Sequence, residues 1–196
     1  MEGFKLAEIQ PLAKLLIGKI NQPTVFLNVL IDWTGGQPFL TQVLFTLALE
    51  QIEQKQYHSY KQSQTKSTRF RYEKEVKSCN GFIMKPMEIE HSNWLEHFVH
   101  ATIIRHWETR PIGQHFREIS SYIFSQKQLI VQLLREYQQV LRYDALYINT
   151  NTVHHELIRS GLVIVSGEIL TVANQIYKKV FNQDWVKKKL SIFSEQ

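Results

Sequence analysis

The residues best suited to chemistry in this chain are histidines: His91, His97, His100, His106, His115, His154 and His155. Histidine holds zinc when three or four ligands converge, usually two from one helix with others nearby. On a helix, His97 and His100 stand about 60° apart, whereas His106 lies roughly opposite His97. His154 and His155 are adjacent and so point in different directions. Neither CxxC nor HExxH accompanies them, so no metal site is expected.

Catalytic signatures are equally absent. There is no GxSxG, no Cys–His signature and no HRD-type loop, and the single cysteine, Cys79, sits in a polar stretch as a free thiol. The phosphate-cradling GxxxxGK[ST] is missing too. The one Gly-Lys pair, Gly18–Lys19, is followed by Ile20 and lacks an upstream glycine. No catalytic residue is expected, and the chain alone is not expected to hydrolyse ATP or GTP.

Composition bounds the remaining classes. The chain has 196 residues, 43% of them hydrophobic, which suffices for a buried core. Its 23 Lys and Arg against 18 Asp and Glu give a net charge of +5, compatible with nucleic acid only if concentrated on one face. One cysteine rules out an internal disulfide framework and fits a reducing compartment. "MEGFKLAEIQ" lacks the basic-then-apolar layout of a signal peptide. The run "TVFLNVLIDW" is broken by Asn28 and Asp32 and falls short of the ~20 residues that span a bilayer. A cytoplasmic protein with no membrane partner is expected.

The elements follow from apolar spacing. Pro11 suits a first helical turn and precedes Leu12, Leu15, Leu16 and Lys19. Phe26, Val29, Leu30 and Trp33 form a helical stripe that Gly35 and Gly36 end. Pro38 then starts a helix carrying Leu40, Val43, Leu44 and Leu47. From Gln51 to about His91 the sequence turns polar and basic, with Lys61, Lys66, Arg69, Arg71, Lys74 and Lys77 clustered, and reads as a loop or insertion that is partly helical at its start. Leu95, Phe98, Val99, Thr102, Ile103 and His106 make one face of a helix beginning near Ser92. Two more helices carry Phe116, Ile119, Ser120 and Ile123, then Ile130, Leu133, Leu134, Tyr137 and Leu141.

The C-terminal part changes period. A short helix around Val153, Leu157 and Ile158 closes at Gly161, and "LVIV" and "ILTV" flank "SGE" as a hairpin. Asn174 is placed to cap a last helix with Tyr177, Val180, Phe181 and Asp184 on one face. Three helices and then a hairpin is the order of a winged helix. If it bound DNA, its second helix would read bases through Thr152, His155 and Arg159, with Lys187 and Lys188 on phosphates. Only Arg159 on that helix is cationic, and Glu156 opposes it.

Together, "GFKLAEIQPLAKLL", "WTGGQPFLTQ", "IIRHWET" and "SGLVIVSGEILTVANQIYKKVFNQDWVKKKL" resemble the region after the ATPase core in bacterial AAA-like proteins of the STAND signalling type. The resemblance implies a small helical lid followed by a winged helix. It also implies a Gly-x-Pro motif at a helix start packing against bound nucleotide, here Gly36, Gln37 and Pro38. A helix N-terminus, with free N–H groups and partial positive charge, suits phosphate. In that family the winged helix closes the switch with ADP and moves on exchange for ATP.

The sequence departs from the pattern in that Met1 falls where the core should end, so ADP or ATP is expected only if another chain supplies a P-loop core. The expected architecture is mainly α: a helical lid-like domain over 1–53, a basic polar insertion or linker over 54–91, and a helical connector with winged helix over 92–196. The expected function is a non-enzymatic regulatory or protein-interaction module that docks on a protein partner, an ATPase core among them. The alternative is a DNA-binding winged-helix regulator.

Overall fold

The computed structural model describes residues 3–67 and 86–193, and within them the side chains of all but 60 and 63–67. The protein is mainly helical with one small antiparallel sheet, and it divides into two compact units. One comprises Met1–Ile31 and Gly36–His97, the other Asp32–Gly35 and Phe98–Gln196.

The first unit opens with a one-turn helix, α1 (Leu6–Ile9), that tightens into a 3₁₀ segment at Gln10–Leu15 with Pro11 in its first turn. Helix α2 (Pro23–Thr34) buries Phe26, Leu27 and Leu30 completely. Helix α3 (Pro38–Ser67) buries Leu40, Leu44, Phe45, Ala48 and Ile52 along one side. Each such side chain stabilises the fold by roughly 1.5–3 kcal/mol relative to exposure.

Helix α3 runs through residue 53 without a break, so the helical start expected of the polar stretch extends from Gln54 to Ser67. The apolar period fades because the last buried positions are Ile52 and Gln56; beyond them the described side chains are exposed. Gln, Lys and Glu are good helix formers, and extending a helix costs far less than starting one. Of the basic cluster only Lys61 is described, its ammonium 4.8 Å from the Tyr57 ring centre. The side chain of Lys66, together with Arg69, Arg71, Lys74, Lys77 and Cys79, lies outside the described residues.

After residue 85 the chain lies alongside residues 19–21. Met87 donates its N–H to the Lys19 carbonyl and accepts from the Asn21 N–H. The Asn21 side chain accepts from the Ile89 N–H at 3.0 Å. Helix α4 (His91–Val99) follows, and the Phe26 ring meets His91 edge-on and Trp94 at a tilt. The stripe expected to run on to His106 stops early. The helix widens into a π turn at His100–Ile104, and His106 itself is exposed in the left-handed region at φ +56°.

The second unit holds helices α5 (Gly113–Ser125) and α6 (Ile130–Tyr143), strand β1 (Leu146–Tyr147) and helix α7 (Thr152–Arg159). Strands β2 (Val163–Ser166) and β3 (Ile169–Val172) and helices α8 (Gln175–Val180) and α9 (Gln183–Phe193) follow. Along α6 the buried positions are Ile130, Leu133, Leu134, Tyr137 and Val140, so Val140 and not Leu141 completes the stripe. This helix packs against both α7 and α9.

The expected hairpin is present, with Ser166 opposite Ile169 across a two-residue Gly167–Glu168 turn. It is joined by β1, giving the antiparallel order β1-β3-β2. Asn174 caps α8, accepting from the Tyr177 N–H at 2.8 Å. The helix expected to run on to Asp184 breaks at Phe181. There Asn182 turns to cap α9, its side chain accepting from the Trp185 N–H, which leaves Phe181 buried and Asp184 exposed.

Candidate functional site

Gly36, Gln37 and Pro38 form a closed corner. Gly36 sits at φ +70°, and its carbonyl accepts the Phe4 N–H at 2.6 Å. A Cβ on Gly36 would stand 2.3 Å from the Phe4 carbonyl oxygen, so only glycine admits this approach. Gln37 uses its side chain as a cap: Oε1 accepts the Leu40 N–H, and its carbonyl accepts from Thr41. Pro38 contributes no N–H. A phosphate at a helix N-terminus needs free, convergent donors. Here the Leu40 donor is engaged by Gln37, and the backbone of Phe4 lies over the glycine. The neighbouring Gly35 answers to the second unit, where a Cβ would meet the Ala173 carbonyl oxygen at 2.5 Å.

The residues assigned to a DNA-reading surface divide between two helices. Thr152 and His155 are exposed on α7. Arg159 is exposed as well, but it is ion-paired at 3.1 Å with Glu156, whose other oxygen accepts from the Tyr122 hydroxyl of α5. That carboxylate holds the Tyr122 hydroxyl protonated above its ordinary range. Lys187 and Lys188 are on α9, with Lys187 facing Asp184 at 4.0 Å.

The histidines are spread through both units, and the described residues contain no group of three or more His, Cys, Asp and Glu able to hold a metal. His154 is buried, accepting from the Asn149 N–H on Nδ1 and directing Nε2 at Glu136 from 3.5 Å. The His115 Nε2 and the Tyr177 hydroxyl are 2.8 Å apart. Burial lowers the His115 pKa, with a smaller opposing effect from Glu118, and pushes Tyr177 up to about 12.

A cleft of about 710 Å³ opens in the second unit between the 104–108 turn, α5 and the α8–α9 corner. Its aromatic residues are Trp107, Phe124 and Trp185, with Phe124 stacked on Trp185 at 15° between planes. Arg117, Lys179, Lys188 and Lys189 line it as well, against Glu108 and Asp184. The Arg117 guanidinium is fixed by the Glu108 carbonyl at 2.7 Å and by Gln114. The Lys189 ammonium lies 5.3 Å from the Phe124 ring centre. The wall holding His106 begins where the π turn ends, and π turns and left-handed non-glycine residues concentrate at functional sites. Of the residues named from sequence as candidate ligands or binding groups, Lys188 and His106 line this cleft, and none of Thr152, His155 or Arg159 does. The one hint in the sequence was Trp185 beside three lysines.

The chain is similar to an uncharacterized WD repeat-containing protein of Synechocystis sp., 30% identical over 192 residues. The match takes in 97% of this chain and 14% of that protein, so the chain spans about one seventh of the relative's length. No family model matches the chain, and no solved structure matches it. A propeller blade is a four-stranded sheet, so the described part of this mainly helical chain is not itself built as WD repeats. No helix of the described residues is long and apolar enough to cross a membrane.

Proposed function

We propose that the chain is a non-enzymatic regulatory and protein-interaction module of the kind that follows the core in STAND and other AAA-like signalling ATPases. It pairs a lid-like helical part with a winged helix and docks on a protein, an ATPase core held elsewhere among the candidates. The sheet order β1-β3-β2, with α7 directly ahead of the hairpin, supports the winged-helix part.

The observation that carries the reading is the outer face of the hairpin. Residues opposite one another share a face, so Tyr147, Ile169, Ser166, Ile164 and Thr171 lie together. Tyr147, Ile164 and Ile169 on that face are 79%, 48% and 38% exposed. From Val163 to Val172 there is no Lys or Arg, and the turn carries Glu168. Affinity for DNA comes mainly from cations on phosphates, whereas an exposed apolar patch rimmed by polar groups suits a protein surface.

The test is capture of partners from cells of the source organism by the intact chain and by an Ile164→Asp, Ile169→Asp variant. A defined partner captured by the first and lost by the second, with helical content unchanged, is the expected result. Retention on duplex DNA at physiological salt, or phosphate release from ATP by the chain alone, would overturn the proposal.

A further inference from the structure

We propose that the cleft between α5 and α9 is the seat of an acidic peptide segment of the partner, one that anchors an apolar or aromatic side chain. This rests on the protein-interaction reading and names where, and by what chemistry, a second contact is made. Lys179 and Lys188 are exposed and ion-pair with no described residue, while Asp184 faces Lys187. The cleft's four Lys and Arg thus outnumber its two carboxylates, and the excess cation is on the two lysines that have no ion-pair partner among the described residues. Phe124 and Trp185, stacked on one another and flanked by Phe193 and Phe181, are half-buried and leave part of their apolar surface in the cleft, where an aromatic or leucine side chain can pack.

A polyphosphate fits this chemistry less well. The donors are ammonium groups on flexible stems, the Trp185 N–H at the start of α9 is engaged by Asn182, and Glu108 and Asp184 face into the same space. Those carboxylates repel a polyphosphate, which is charged along its length, whereas a peptide can turn backbone N–H groups to them and its own carboxylates to Lys179 and Lys188. The volume, about 710 Å³, matches one or two anchored side chains and not a folded domain.

The probe is a short fluorescein-labelled peptide of Asp and Glu around a central Leu-Trp pair, titrated into the full chain and followed by anisotropy. Saturable binding that weakens with salt is expected, reduced roughly fivefold by Lys179→Glu or by Lys188→Glu but not by Lys14→Glu, which makes the same change of charge elsewhere. In proton–nitrogen spectra the indole N–H signals of Trp107 and Trp185 should move and those of Trp33 and Trp94 should not. No saturable binding, equal loss with Lys14→Glu, or displacement of the peptide by oligothymidylate or ATP overturns the assignment. If partner capture fails on Ile164→Asp, Ile169→Asp while peptide binding is indifferent to Lys188→Glu, the cleft assignment falls and the interaction reading stands. If no partner is captured while peptide binding is lost with Lys179→Glu and Lys188→Glu, the interaction reading falls and the cleft's affinity for an acidic peptide stands.

Discussion

Replacing Gly36 by alanine tests how the corner is closed, and Gly18 supplies the control within the same unit. Both glycines have positive φ, +70° and +76°, but a Cβ on Gly18 would meet nothing within 4 Å. The left-handed conformation costs alanine about 1–2 kcal/mol. The loss of unfolded-state entropy returns about 0.4–1 kcal/mol. Gly18→Ala should therefore lower stability by no more than about 1.5 kcal/mol. Gly36→Ala has to push the Phe4 backbone away as well, since Phe4 O, Phe4 N and Gly3 C would all lie within 3.1 Å of the new Cβ. That removes the Phe4 to Gly36 hydrogen bond, a further 0.5–1.5 kcal/mol or so. A total of about 0.5–3 kcal/mol, above that of Gly18→Ala, is expected, read as a lower urea midpoint at unchanged slope. Hydrogen exchange at the Phe4 amide should be slow in the parent, slow in Gly18→Ala and fast in Gly36→Ala. Equal losses for the two variants, or a Phe4 amide that exchanges freely in the parent, would refute the closed corner.

Other perturbations have equally definite outcomes. Tyr137 is fully buried, and its hydroxyl finds no hydrogen-bond partner among the described residues. Burial pushes its pKa up. Tyr137→Phe should therefore leave stability unchanged or raise it by up to about 1–3 kcal/mol in urea unfolding, and a marked loss would mean that a partner exists. Burial lowers the pKa of His91 and of His115 below 6.5, so each ring binds more protons unfolded than folded. Their contribution is full above pH 6.5 and declines as pH falls below it; His91→Phe and His115→Phe should each flatten that limb of the urea midpoint against pH. Arg159→Ala removes the exposed partner of the largely buried Glu156, which keeps the Tyr122 hydroxyl, so its stability change should stay within about 1 kcal/mol. On the protein-binding reading the same variant shows no change in anisotropy with duplex DNA at physiological salt.

Much of the helical scaffold was legible because burial leaves a period. Phe26 and Leu30, Leu40 and Leu44, and Ile130, Leu133, Leu134 and Tyr137 are buried where their spacing placed them. The caps were legible where one side chain decides them, as at Asn174. Helix α3 beyond Gln56 was legible only at its start, because its described side chains there are exposed and carry no apolar stripe. Strand β1 is two residues long, too short for any alternation, and exists through its pairing with β3. The break at Phe181 depends on Asn182 choosing to cap, which competes locally with helix continuation.

The cleft was the least legible feature. Trp107, Arg117, Phe124, Lys179 and Trp185 come from separate turns of chain, and only packing brings them to one space. The Gly-Pro corner was visible as a helix stop and start. Its closure by Phe4, more than thirty residues earlier, was not.

Calorimetric titration of magnesium-ATP into the purified chain tests the central claim most directly. With Gly36 covered by Phe4 and the Leu40 donor held by Gln37, the expected result is heat of dilution alone and an unchanged Phe4 amide signal. Stoichiometric heat, with the Phe4 amide released as nucleotide binds, would contradict it.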